Sequence, residues 1–209
     1  NLRVVIQQPT AYFRAAVVLD PENMAKGLGN GVTKGNGWDK ARKWAPIAGI
    51  KDTSGFDQGS RYTIAREVYG TDGSFMEWLS DKSMSLAGKA DAMTWGKIWN
   101  ACEWQVAADT NLEVGSDAYY QQVAAVFTDV IDQTQVVDGI MQRAQIMRDS
   151  DALTRQATSF MGEPLKSLNM FMRAYDAWAY ENNPQKRSSA LKKLKRSVAA
   201  LVVTDAVNA

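Results

Sequence analysis

Three carboxylates stand where chemistry is conceivable: Asp91, Glu103 and Asp176. Trp95, Trp99, Cys102 and Val106 recur at i, i+4, i+7 and i+11, and Met84, Ala87 and Asp91 continue that stripe upstream, so Asp91 shares a helix face with tryptophans. Burying a carboxylate on such a face is costly unless it is paired or hydrogen-bonded. Two uses answer that cost. One is structural, a cap or a bond to a neighbouring segment; the other is catalytic, as an acid. Glu103 carries the same two readings. No second carboxylate is fixed beside either, so the structural reading is preferred, and three scattered acids make a poor enzyme or metal site.

The chain has no histidine and one cysteine, Cys102. This removes the Ser-His and Cys-His nucleophile systems, the usual general base, and the commonest zinc, copper and iron ligand. An internal disulfide is excluded and a zinc site disfavoured. The expectation is a protein with no catalytic residues, no metal and no cofactor.

Two loops invite ligand readings. GLGNGVTKGNG, Gly27 to Gly37, is glycine-rich, but it lacks the Gly-Lys-Ser/Thr ending of a P-loop and the strand-turn-helix setting of a dinucleotide fingerprint. A flexible surface loop is the preferred reading. KDTSGFDQGS offers Asp52, Ser54, Asp57 and Ser60, without the alternating ligands and terminal glutamate of an EF-hand, and reads as turn chemistry.

Charge is informative only locally, because 24 cations against 23 acids leave a net +1. Near the end, Lys186, Arg187, Lys192, Lys193, Lys195 and Arg196 form a run without an acid that leads into an apolar helix. A solvated face is the plain reading of such a run. Contact with anionic lipid headgroups or nucleic-acid phosphates is the sharper one.

The elements that hold these residues are all helical in pattern. Pro9 can begin a piece carrying Tyr12, Phe13, Ala16, Val17 and Leu19, and Asp20-Pro21-Glu22 has the form of a cap, a first-turn proline and an early acid. Trp38 to Ile50 reads as a short helix ending before Pro46, and RYTIAREVYG as a helix or extended piece. The strongest run, from Ser74 to Thr110, carries Trp95 and Trp99, read as core or interface residues in preference to a base-stacking platform. A capped start at Ser116 or Asp117 precedes Val123, Val126, Phe127, Val130, Val137, Ile140, Met141 and Ile146, with a junction near Asp132 to Thr134.

Phe160, Pro164, Leu168, Phe171, Tyr175 and Trp178 then fall on one stripe at spacings of four, four, three, four and three. Its oddity is the pair Gly162 and Pro164, the two worst helix formers, on the apolar side of a helical pattern. Either the helix restarts there or it kinks. A turn at Asn182-Asn183-Pro184 precedes the final helix, and the run from Val198 to Ala209 is too short to span a bilayer. No strand pattern or internal repeat intervenes. The expectation is all-α: an irregular multi-helix bundle with long loops, divided into N-terminal helices with Gly-rich loops (1–70), a central helical core (71–183) and a basic-to-apolar C-terminal helix (184–209). The start at Asn1 and the apolar end suggest an interior piece of a longer helical protein.

Four stretches carry a resemblance: NLRVVIQQPTAYFRAAVVLDPE, KADAMTWGKIWNACEWQV, VFTDVIDQTQVVDGIMQRAQIMR and RQATSFMGEPLKSLNMFMRAY, the last including a Phe-Met-x-Glu-Pro pattern at Phe160 to Pro164. In this order they resemble a helical region of very large bacteriophage and prophage proteins, often called polyvalent proteins, and of large internal virion or ejection proteins. The resemblance implies a structural protein packaged in the virion and passed into the host envelope or cytoplasm during DNA ejection. The implied partners are other copies or other virion proteins, with phage DNA or host membrane as further ones and no small-molecule substrate. It carries over no catalytic residue.

Overall fold

The computed structural model describes the backbone over residues 11–53, 74–134 and 162–208, and side-chain surroundings within 11–49, 88–134 and 166–203. Eight helical segments and no strand occur among the described residues, so the protein is all-α. We label them α1 (residues 11–18), α2 (Pro21–Gly27), α3 (Gly37–Trp44), α4 (Pro46–Thr53), α5 (Ser74–Asp109), α6 (Asp117–Thr134), α7 (Gly162–Ala179) and α8 (Pro184–Asn208).

Local chemistry sets most of the helix starts. Asp20 is extended before Pro21 and Glu22, as its sequence context requires, although its side chain makes no cap bond. Asn36 accepts from the Trp38 N–H at 2.8 Å and starts α3. Ser116, not Asp117, starts α6, its hydroxyl accepting from the Tyr119 N–H at 3.2 Å. Asn183 accepts from the Gln185 and Lys186 N–H groups at 3.0 and 3.3 Å, which launches α8 from the predicted turn. The Trp38 to Ile50 expectation is corrected at one point. Ala45, the residue before Pro46, is extended, and the chain restarts on that proline as α4, which takes in Lys51, Asp52 and Thr53 from the expected loop. Ser54, Asp57, Ser60 and RYTIAREVYG lie outside the described residues, as do Phe160 and Val137 to Ile146.

The core is built around α5, a 36-residue helix about 54 Å long at 1.5 Å per residue. The expected stripe is there: Trp95, Trp99 and Cys102 are fully buried and Val106 nearly so. Burial also goes right round this stretch, taking in Gly96, Ile98, Asn100, Ala101 and Glu103. The cause is that α2 and α3 pack on α5 as α6 does. Their approach is close because each brings a glycine to α5, Gly37 against Gly96 and Gly27 against Ala101. A Cβ on Gly37 would overlap the Gly96 carbonyl, and one on Gly27 would stand 2.6 Å from the Ala101 nitrogen. From the other direction, Tyr119, Val123, Phe127, Val130 and Ile131 bury one stripe of α6, and Phe127 meets the Trp95 and Trp99 rings at centroid distances of 5.8 and 5.4 Å.

Helix α8 packs along α7, and α7 reaches α6. Lys166 donates to the Asp132 carbonyl in the last turn of α6, where a cation suits the helix dipole. Helix α7 is described from Gly162, with Pro164 in its first described turn, and what precedes Gly162, on which the choice between a restart and a kink depends, lies outside the described residues. Here the sequence expectation needs its second correction. The buried side of α7 is Ser167, Met170 and Ala174. Leu168 and Tyr175, assigned to the packing stripe, are 50% and 43% exposed, and Phe171 and Trp178 are half-buried. The aromatic rings pack on one another, with Phe171, Tyr175 and Trp178 at successive centroid distances of 6.4 and 6.0 Å. The buried positions 167 and 174 of α7 and 190, 197 and 200 of α8 are all small, which lets the two packed helices approach; large residues there would hold them apart.

Candidate functional site

The densest polar arrangement is at Glu103. Its side chain is fully buried, and every partner is in place. Lys40 of α3 brings its Nζ to 2.6 Å from Oε1. Thr33, in the glycine-rich loop, donates its backbone N–H to Oε2 at 2.9 Å and its hydroxyl to Oε1 at 2.9 Å. Trp99, one turn back on α5, donates its Nε1–H to Oε1 at 2.9 Å. Lys40 also donates to the Thr33 carbonyl and hydroxyl at 3.1 and 2.9 Å, so the two partners bond each other as well. On the far side, the Tyr119 hydroxyl of α6 donates to the Glu103 backbone carbonyl at 2.9 Å. One residue thus ties α3, the loop, α5 and α6 together.

This arrangement corrects the loop expectation. Gly27 to Gly37 is fastened along α5, because Lys97 donates to the Gly29 carbonyl at 2.7 Å, Trp104 Nε1 donates to the Asn30 carbonyl at 2.9 Å, and Thr33 holds Glu103. Glycine at position 31 is needed where the loop crosses the carboxylate, since a Cβ there would run into Glu103 Oε2. Gly27, Gly31 and Gly37 serve close approach to α5, and Gly35 takes a positive φ of 108°, so no phosphate cradle is required to explain them.

A buried carboxylate with one cation and three neutral donors is fully satisfied. Its side chain has no contact with solvent. Of its two sequence readings, the bond to a neighbouring segment is the one the geometry realises. Asp91 is half-buried and lies about 18 Å from Glu103 along α5, while Asp176 is exposed on α7. These three acids do not share a site. Cys102 is fully buried, and that burial, with Glu103 beside it, pushes its thiol well above the usual range, which leaves it a packing residue. Among the described residues, no three histidine, cysteine or acid side chains are placed to hold a metal ion.

A cleft of about 400 Å³ between α2 and the end of α5 is lined by acids already engaged. Glu22 pairs with Lys26 at 2.8 Å, and that hydrogen bond holds its carboxyl below the usual range. Asp109 accepts from Gln105 at 2.6 Å. Asp20 faces Arg196 at 3.7 Å.

The cations of the basic run separate by role. Arg196 also donates to the Leu19 carbonyl at 3.3 Å, tying α8 to the α1–α2 corner, and Arg187 lies 5.5 Å from the centroid of the Trp178 ring. Lys186, Lys192, Lys193 and Lys195 face solvent. Trp95 and Trp99, expected to pack, do so at the centre of the core.

Sequence reasoning missed Thr33 and Lys40. The only local trace of their role is the i, i+4 spacing of Trp99 and Glu103, which brings a donor to a carboxylate on one helix face. Comparison of the chain with family models, with curated proteins and with solved structures finds no match.

Proposed function

We propose that the chain is a non-catalytic structural region of a large phage virion protein, packaged in the particle and engaged in assembly and in delivery of the genome into the host. The observation that carries this reading is that the groups with chemical potential in the described core are consumed by the fold. Glu103 holds four segments together, and Cys102 is sealed beneath them. The sequence resemblance supplies the setting. Contacts with other copies or other virion proteins would use the apolar side chains left outside, with Leu168, Met172 and Tyr175 of α7 the most concentrated group.

The test is direct. Particles of the phage or induced prophage that encodes the chain are purified on a density gradient and probed with an antibody against it. The expected result is a signal that co-purifies with DNA-filled particles and becomes protease-sensitive only once they are opened. A signal confined to the soluble fraction of the lysate overturns the proposal.

A further inference from the structure

Helix α8 carries six cations and no acid between Glu181 and Asp205. The fold uses the two arginines internally, Arg187 on Trp178 and Arg196 on the α1–α2 corner, where planar multi-donor heads are at an advantage. Lys186, Lys192, Lys193 and Lys195 are left in solvent. Lys192 and Lys195 lead into Val198 and Val202 at spacings of three, three and four, which keeps all four on one side of the helix. Those valines are 44% and 63% exposed. The opposite side, Ala190, Ser197 and Ala200, is the one buried in the fold, and Lys186 and Lys193 share its register with their side chains reaching solvent.

We infer that this outer side of α8 is a docking surface for an anionic membrane, with Lys192 and Lys195 meeting lipid phosphates and Val198 and Val202 entering the headgroup–acyl boundary. Charge complementarity selects an anionic partner, since no acid interrupts the lysines. The valines decide which anionic partner it is. A nucleic-acid backbone would use the lysines and leave exposed valines unexplained, whereas a bilayer surface accepts both, with the lysine stems lying along apolar surface and their ammonium groups at the phosphates. No helix among the described residues is long and apolar enough to cross a membrane, so the contact is a peripheral one. The inference stands apart from the virion proposal, because a chain absent from particles can still bind vesicles.

The test uses the full chain and sedimented vesicles of phosphatidylcholine with or without phosphatidylglycerol, over a salt series. Binding is expected at least roughly tenfold tighter to the anionic vesicles. Because each lysine near such a surface strengthens binding roughly fivefold, changing Lys192 and Lys195 to Gln should weaken it by roughly 25-fold. The variant Val198→Ser/Val202→Ser should keep low-salt binding and lose the fraction that survives high salt. All four positions are exposed, and unchanged circular dichroism and melting verify that both variants are folded. Equal binding to neutral vesicles, an undiminished lysine variant, or a valine variant indistinguishable from the parent at high salt overturns the inference. So does lysine-dependent binding to duplex DNA without binding to anionic vesicles.

Discussion

Lys40 and Glu103 meet as a buried ion pair at 2.6 Å across the α3–α5 contact, the carboxylate without solvent exposure and the lysine side chain 11% exposed. Removing one partner of such a pair leaves a charge with nowhere to go. Lys40→Met should therefore destabilise the fold by about 3–5 kcal/mol. Adding Glu103→Gln removes the stranded charge, and the double variant should recover more than half of that loss. Urea unfolding of the four species of the cycle gives the coupling; additive losses would show that the pair does not work as a unit.

The glycine crossings predict opposite signs for one substitution. Gly37→Ala drives a methyl into the Gly96 carbonyl and should cost about 1–3 kcal/mol or more, since backbone must move on both sides. Gly88→Ala, on an exposed part of α5 with nothing within 4 Å of the new Cβ, should stabilise by about 1 kcal/mol through helix propensity. Chemical denaturation measures both. A neutral Gly37→Ala would mean that α3 and α5 do not cross so closely.

The register of α7 can be tested in the same way. Met170 is buried and Leu168 half exposed, two positions away on the same helix. Met170→Ala should cost about 2–4 kcal/mol, while Leu168→Gln should stay within about 0.5 kcal/mol of the parent. The reverse ranking would restore the stripe read from sequence.

High pH offers a fourth measurement. Burial raises the Cys102 thiol and the Tyr12 and Tyr119 hydroxyls above their ordinary values, so the folded chain keeps protons that the unfolded chain releases. Their stabilising contribution is complete below about pH 8.5, where an unfolded thiol begins to ionise, and falls as pH rises further. Arg14 acts in the opposite sense. Burial lowers it to about 10, so its cost is complete below that value and is relieved only above it. Three groups against one predict a urea midpoint that declines from about pH 8.5 upward. Cys102→Ala should flatten the first part of the decline, and the native thiol should resist a water-soluble disulfide reagent until denaturant is added.

The helical class, the caps at Asn36, Ser116 and Asn183, the restart at Pro46 and the Trp95-Trp99-Cys102-Val106 stripe rest on interactions spanning a few residues. Spacing, caps and prolines express these directly, and the helical class, the start near Ser116, the turn before the last helix and the tryptophan stripe were readable in advance. The Leu168 to Trp178 stripe was readable too, and misleading. Periodicity reports that a helix has an apolar side and does not say which side its neighbours cover. There, two small residues and Met170 set the contact with α8, because helices pack closest where side chains are shortest.

Glu103 marks the limit most clearly. Its type and position on a tryptophan-bearing helix announced a carboxylate in need of partners, without naming them. Two of those partners, Thr33 and Lys40, come from 70 and 63 positions earlier in the chain, and they arrive only because glycines let the loop and α3 lie against α5. Sequence by itself determined that the chain is helical and where most of its helices begin, since those energies are local. Tertiary structure decided which charges are sealed inside and which remain for a partner, because desolvation depends on what every distant segment brings to the same place.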